Sequence, residues 1–249
     1  MKISIITVCY NSEKTIKDCI HSIINQSYSD IEYIVIDGKS SDSTWEIITS
    51  YGDKIQQTLS EKDRGMYDAI NKGIGMATGE VIGVLNSDDF YTDELVLEEV
   101  MAKFQATSAD ALYADLNYVD QLDTNKVVRY WKSGNYQPNS FISGWMPPHP
   151  TFFIKKAYYQ RFGLFSLDLV SAADYELMLR MILKHQAKLA YLPRVIVNMR
   201  VGGMSNSSLS NRLRANKEDR KAWEMNGLTP KSYTLLFKPL RKIIQYVKR

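Results

Sequence analysis

The sequence has 249 residues, of which 45% are hydrophobic and 24% charged, with a net charge of +3. This composition is typical of a globular protein and excludes a fibrous or largely disordered chain. The charge is too small to indicate nucleic-acid binding, and no stretch reaches the ~20 apolar residues of a membrane span. Cys9 and Cys19 form no disulfide framework or zinc motif, and we interpret them as packed thiols. The apolar run at the start is shorter than a signal sequence needs, so we expect a cytoplasmic protein without one.

The first half of the chain alternates between apolar runs and amphipathic stretches. We predict buried strands over 3–8, 31–36, 57–59 and 81–85. Helices are predicted after Asn11 and Ser12, which are candidate caps, after a cap at Ser41 or Asp42, over 67–77 and near 93–104. Strands that alternate with helices favour βαβ units and a parallel sheet. The predicted class is therefore α/β, with a Rossmann-type, mostly parallel central sheet flanked by helices.

The second half is more mixed. Strands are predicted over 111–118, 126–131 and 189–201, and helices over 172–185, 209–225 and 233–249. The stretch 133–150, rich in Gly, Pro, Ser and Asn, is predicted to be a long functional loop. The last helix is basic and amphipathic, so it either lies on an anionic membrane surface or packs on the domain with its basic face in water.

Polar residues follow each of the four strands of the first half. They are Thr7 to Asn11, Asp37-Gly38, Asp63-Arg64 and Asn86 to Asp89. In an open parallel sheet, ligands collect at the carboxyl ends of the strands. Each of these groups alone is compatible with a cap, a turn or the start of a helix. Their joint placement favours a binding site.

Asp88 and Asp89 end the fourth predicted strand as two adjacent carboxylates. They repel each other unless a cation is present, and hard oxygen ligands suit Mg²⁺ or Mn²⁺ bound together with substrate phosphates. The chain has neither G-x-G-x-x-G after its first strand nor a P-loop motif. We therefore expect a metal to neutralise the phosphates, which disfavours dinucleotide-binding dehydrogenases and P-loop enzymes.

Several of these motifs, in this order, resemble the family 2 glycosyltransferases with a GT-A fold. They are TVCYN at 7–11, DGKSSDST at 37–44 and NSDD at 86–89. EKDRGMYDAINKG at 61–73, PHPT at 148–151 and ADYEL at 173–177 resemble a subgroup that acts in bacterial exopolysaccharide, O-antigen and capsule assembly. The resemblance covers roughly residues 1–205. It implies a donor half over 1–105, an acceptor half over 106–205 and a helical extension over 206–249.

The resemblance also implies roles on the donor side. Tyr10 would lie against the nucleobase with Thr7 beside it, Asp37 would accept a hydrogen bond from the base, and Arg64 would lie near the base or diphosphate. Asn86, at the first position of the usual D-x-D pattern, would contact the ribose. Asp88 would ligate the metal, with Asp89 as support or second ligand. Arg200 and the turn at 202–205 resemble a loop that closes over the donor diphosphate, although an ordinary surface turn is equally compatible.

On the acceptor side, Asp174 is the candidate general base. An inverting transfer needs a carboxylate to take the proton of the attacking hydroxyl. Asp174 lies near a predicted helix start, where the dipole favours its charged form, and a simple first-turn acid remains the alternative. Many relatives carry Glu-Asp where this chain has Ala173-Asp174. His149, between two prolines, is a candidate for the metal or the acceptor, or is structural.

The expected function is inverting, metal-dependent transfer of a sugar from a nucleotide donor, UDP-linked, to a glycan or polyprenyl-linked acceptor in bacterial surface polysaccharide synthesis. Peripheral membrane contact through 233–249 would fit such an acceptor. A non-catalytic nucleotide-sugar-binding subunit is one alternative, since Asn86 and Ala173 depart from the family pattern. A sugar-1-phosphate nucleotidyltransferase is another, but it would need a glycine-rich loop where this chain has YNSE at 10–13.

Overall fold

The computed structural model describes residues 1–202 and 209–235. Its strands are β1 (Ile3–Cys9), β2 (Ile31–Asp37), β3 (Gln57–Ser60), β4 (Val81–Val84), β5 (Asp89–Tyr91), β6 (Ala111–Val119), β7 (Val127–Trp131), β8 (Phe153–Lys155) and β9 (Leu189–Arg200). Its helices are α1 (Ile16–Ile24), α2 (Thr44–Thr49), α3 (Met66–Met76), α4 (Val96–Thr107), α5 (Lys156–Phe162), α6 (Ala173–Met178) and α7 (Leu209–Met225). Short 3-10 turns lie at Gly52–Lys54 and His149–Thr151, and α6 continues as a π-helical stretch over Leu179–Lys184.

The first four strands form the parallel part of the sheet, in the order β3-β2-β1-β4. Strand β1 is buried along its whole length because helices cover both faces of the sheet. The strands therefore end together at one edge, where the polar groups lie. The prediction of a parallel α/β sheet in this half is confirmed.

The remaining strands extend the same sheet in mixed directions, in the order β8-β6-β9-β5, with β7 paired to β6. Strands β6 and β9 pair in parallel, whereas β8, β7 and β5 pair antiparallel with their neighbours. The sheet is thus continuous across the predicted division at 105. The predictions missed β5 and β8, because three residues are too few for a periodic pattern.

The two faces of the sheet bury separate apolar clusters. One contains α3 and α6 with Ile6 and Val8 of β1, and the other contains α1 and α4 with Ile3 and Ile5. Adjacent residues of β1 thus point to opposite faces, as expected for a strand.

Helix α1 begins at Ile16, later than its candidate caps. Asn11 has a positive φ of 50°, and its side chain accepts hydrogen bonds from Ser41 N at 2.9 Å and Ser41 Oγ at 3.3 Å. Neither Asn11 nor Ser12 caps α1 with its side chain, so that prediction was wrong. Asn11 instead links the loop after β1 to the loop after β2.

Two predicted features fall partly or wholly beyond the described residues. Gly202 is described, but residues 203–205 of the predicted closing turn lie outside the described residues. The same holds for 236–249, most of the predicted basic helix. Within 1–202 and 209–235, no helix is both long and apolar enough to span a bilayer.

Candidate active site

Asp37 ends β2 and is fully buried. Its carboxylate accepts hydrogen bonds from Ser40 N at 3.1 and 3.2 Å, from Ser40 Oγ at 2.5 Å and from Ser60 Oγ at 2.5 Å. These bonds fix the loop that connects β2 to α2. For the predicted contact with a nucleobase, a serine would first have to release the carboxylate.

Tyr10 follows β1 and is 64% exposed. Its ring borders Gly38, where a Cβ atom would lie 3.4 Å from Tyr10 Cδ2 and 2.6 Å from Asp63 Oδ2. Glycine at this position therefore lets the aromatic ring and the Asp63 carboxylate approach the loop after β2. The exposed ring is available to stack on a flat ligand.

Thr7 and Arg64 occupy different environments from that of Tyr10. Thr7 is fully buried, and its hydroxyl accepts a hydrogen bond from Tyr33 Oη at 3.2 Å. It faces the side of the sheet that carries α1, so this placement does not support the predicted contact with the donor. Arg64 lies before α3 with a largely exposed guanidinium, which pairs with Asp68 at 3.2 Å.

The cluster Asn86 to Asp89 joins β4 to β5. Asp88 is half-buried at the sheet edge. Asp89 is fully buried, and neither of its carboxylate oxygens has a hydrogen-bond partner among the described residues. Burial and then the charge of Asp88 raise the pKa of Asp89 well above its usual range, against the opposing effects of Asn86 and Arg200. The raised pKa favours the neutral, protonated form of Asp89 in the folded chain.

The oxygen-rich edge at Asp88 fits a hard divalent cation such as Mg²⁺ or Mn²⁺. Among the residues that the structure describes, no three His, Cys, Asp or Glu side chains converge into a complete metal site. A single carboxylate can hold such a cation together with substrate phosphates. Asp89, with no exposed surface, is not placed as a direct ligand.

Arg200 ends β9 and is 6% exposed. Its guanidinium donates a hydrogen bond to the backbone oxygen of Asp88 at 2.8 Å, pairs with Asp18 of α1 and lies 5.0 Å from the centroid of the Phe90 ring. In this arrangement it supports the Asp88 loop. A direct contact with a donor diphosphate would require it to leave Asp18.

Asp174 lies in the first turn of α6, and its side chain is 20% exposed. His149 Nδ1 is 3.4 Å from Asp174 Oδ2, and Tyr67 Oη is 3.4 Å from Asp174 Oδ1. On its other side, His149 Nε2 is 3.5 Å from Asn86 Nδ2. These contacts are long, as catalytic hydrogen bonds often are before substrate binds. The candidate base and the donor cluster are thereby linked through one imidazole.

Tyr67, in α3, is a site residue for which we predicted no role, although the motif at 61–73 contains it. The ring is 6% exposed and stacks on Phe165 with centroids 5.6 Å apart. Burial and the neighbouring Asp174 raise the pKa of Tyr67 well above its usual range. The hydroxyl therefore remains protonated and donates to the carboxylate.

Helix α7 holds α6 in place. Trp223 Nε1 donates to Tyr175 Oη at 3.0 Å, and Asn226 Nδ2 donates to Glu176 Oε1 at 3.1 Å. The buried Glu176 also pairs with Arg180 at 2.8 Å. The residues next to Asp174 are thus fixed by the predicted C-terminal extension.

The sequence was compared with known proteins. Residues 4–165 match the family model described as Glycosyl transferase family 2. The chain is 25% identical over 208 residues to a PGL/p-HBAD biosynthesis glycosyltransferase of Mycobacterium bovis, covering 82% of this chain and 79% of that protein. It is 29% identical over 126 residues to glycosyltransferase GlyG of Streptococcus pneumoniae, which covers 49% of this chain but only 42% of GlyG.

Solved structures share the fold. Residues 1–349 of S. aureus TarS, in complex with UDP-GlcNAc, match with a TM-score of 0.68 and 20% identity over 91% of this chain and 65% of that one. The mannosyltransferase PcManGT of Pyrobaculum calidifontis, in complex with GDP-Man and Mn²⁺, matches with a TM-score of 0.66 and 18% identity over 99% of this chain and 69% of that one. These matches confirm the predicted GT-A fold. With the family match, they identify the chain as a glycosyltransferase that belongs to glycosyl transferase family 2.

Proposed function

We propose that this enzyme transfers a sugar from a nucleotide-sugar donor to an acceptor hydroxyl with inversion, and that Asp174 is the general base. The observation that carries the proposal is the contact series from Asn86 through His149 to Asp174. The series supports this role because it connects the Asp174 carboxylate to the cluster proposed to bind the donor.

On the donor side, we assign the nucleobase to Tyr10, with Asp37 and Arg64 as further candidates, and the ribose to Asn86. Exposure supports Tyr10 most directly. A bound Mg²⁺ or Mn²⁺ would be held by Asp88 and would supply Lewis-acid stabilisation of the leaving diphosphate. Arg200 supports Asp88 from behind through its backbone oxygen. UDP is the proposed nucleotide because TarS was solved with UDP-GlcNAc, although PcManGT was solved with GDP-Man.

On the acceptor side, Asp174 takes the proton of the acceptor hydroxyl. As that oxygen bonds to the anomeric carbon, the bond from the carbon to the diphosphate oxygen breaks and the nucleoside diphosphate leaves. His149 donates through Nδ1 to one carboxylate oxygen and Tyr67 donates to the other. The two contacts hold the carboxylate in one orientation. We assign His149 this positioning role ahead of the predicted role as a metal ligand.

The acceptor we propose is a glycan or a polyprenyl-linked sugar used in bacterial surface polysaccharide synthesis on the cytoplasmic side of the membrane. The mycobacterial relative is named for PGL/p-HBAD biosynthesis. Contact of residues 233–249 with the membrane surface remains part of the proposal.

The proposal is tested by the thermal stability of the chain with a panel of UDP-, GDP- and dTDP-sugars, with and without Mn²⁺. A ligand that binds only the folded state raises its apparent stability. We expect one nucleotide class to raise Tm in a manner that depends on Mn²⁺, and Asp88→Ala to remove that dependence. If no nucleotide sugar raises Tm, the proposal fails. Donor binding without transfer or hydrolysis would favour a non-catalytic subunit.

A further inference from the structure

A cleft opens between the segment 133–145 and Tyr233. It has a volume of about 390 Å³. This is within the roughly 300–1,000 Å³ of pockets that bind small ligands. Three side-chain amides, those of Asn135, Gln137 and Asn139, line the cleft and are exposed.

The lining chemistry selects a neutral, polar ligand. The described residues that line the cleft are amides, hydroxyls, Pro138, Ile142 and the rings of Trp145 and Tyr233, and none of them is charged. A phosphate, carboxylate or ammonium group would lose hydration there without gaining a counter-charge. A side-chain amide both donates and accepts hydrogen bonds, which is what neighbouring sugar hydroxyls require.

The wall of the cleft is fixed although it contains neither helix nor strand. Trp145 Nε1 donates to the backbone oxygen of Ser133 at 2.8 Å, and Tyr113 Oη donates to that of Gly134 at 2.8 Å. The backbone N–H of Tyr136 in turn donates to Tyr113 Oη at 2.7 Å. A wall held in this way has little conformational freedom left to lose when a ligand binds.

The cleft lies close to the candidate base. Trp145 precedes His149 by four residues, so their Cα atoms are at most about 14 Å apart, given at most ~3.6 Å per residue of extended chain. Phe141, from the same segment, packs on Tyr175 with ring centroids 6.2 Å apart, and Tyr175 follows Asp174 in α6. The segment that lines the cleft therefore also packs on the helix that carries Asp174.

We infer that this cleft is a subsite for a neutral saccharide, and that it binds acceptor sugars beyond the one that receives the transferred residue. The inference rests on the proposed function, since it assigns the acceptor side of the same reaction. It commits the acceptor to a saccharide at least two sugars long.

The test uses the full chain and a variant that removes all three amides, Asn135→Ala, Gln137→Ala and Asn139→Gly. Glycine replaces Asn139 because its φ of 70° would strain alanine. The matched control is Gln105→Ala, which removes an exposed amide from α4. Saturation-transfer NMR is recorded with UDP and Mn²⁺ present. The probes are di- and trisaccharides of glucose, galactose, mannose, rhamnose and N-acetylglucosamine.

We expect at least one trisaccharide to bind the wild type and the control equally, and to bind the triple variant at least fivefold more weakly. The UDP signal should be the same in all three proteins. The inference is overturned if no saccharide binds, or if the triple variant binds saccharides as the wild type does. A missing UDP signal in the wild type would instead count against the proposed function.

Discussion

Tyr67 provides a test of how the candidate base is held. Tyr67→Phe removes only the hydroxyl that contacts Asp174 Oδ1 at 3.4 Å, and phenylalanine keeps the stacking on Phe165. A hydrogen bond to a charged group contributes roughly 1.5–3 kcal/mol. Because 3.4 Å is longer than the usual O–H···O distance, we take the lower end, about 1.5 kcal/mol. Counted as lost orientation of the base in the transition state, this energy corresponds to about a tenfold loss of rate.

The assay is steady-state transfer with the donor and acceptor on which the wild type is active. We expect kcat of Tyr67→Phe to fall about tenfold while KM for the donor stays within twofold, because the hydroxyl acts on the base and not on the donor. Tyr159→Phe is the control, since Tyr159 is also buried and stacks on Phe165 at 6.2 Å. The reasoning is refuted if Tyr67→Phe retains wild-type kcat, or if Tyr159→Phe loses as much activity.

Three further predictions concern stability, measured by urea unfolding. Burial opposes ionisation of Glu32, but hydrogen bonds from Ser4, Thr78 and Lys2 lower its pKa from 4.5 to about 2. This shift corresponds to roughly 3 kcal/mol of folding stability above pH 4.5. That stability is lost as the pH falls towards 2. Glu32→Gln should therefore cost about that much at pH 7 and about half as much at pH 3; an equal cost at both would contradict this. Because the pKa of Asp89 is raised, only the unfolded chain readily releases this proton above about pH 4, and the wild type loses stability as the pH rises. Without metal, Asp89→Asn should therefore gain stability relative to the wild type as the pH rises from 4 to 8. A gain that declines with pH would contradict this. In α3, the added methyl group of Gly75→Ala meets open space and should stabilise the fold by about 0.5–1 kcal/mol. At Gly73 a Cβ atom would lie 2.5 Å from Ile6 Cγ2, so Gly73→Ala should cost about 1–3 kcal/mol. Effects of the same sign would refute this.

The parallel half of the fold was predictable because its strands are buried on both faces and appear as continuous apolar runs. Strands β5 and β8 were not, since each has three residues and forms by pairing with a distant strand. The burial of Thr7 did have a signal. Ile5, Thr7 and Cys9 alternate along β1, so a threonine between two apolar residues of one face should also point inward.

The candidate site was predictable as a set of polar strand ends but not as a geometry. Nothing local indicates that His149 and Tyr67 meet Asp174, because α3, the 3-10 turn and α6 come together only in the folded chain. The same holds for Asp89, whose adjacent position to Asp88 suggested a shared metal site. Pairing of β5 with β9 turns Asp89 inward and leaves Asp88 at the edge.

The measurement that tests the central claim most directly compares donor affinity with transfer rate for Asp174→Asn. Asparagine has nearly the same shape as aspartate but does not take up the proton. We predict donor affinity by titration calorimetry within threefold of wild type, and a transfer rate lower by roughly 10²–10⁴-fold, the usual contribution of a general base. Transfer at a near-wild-type rate would contradict the assignment of Asp174 as the base.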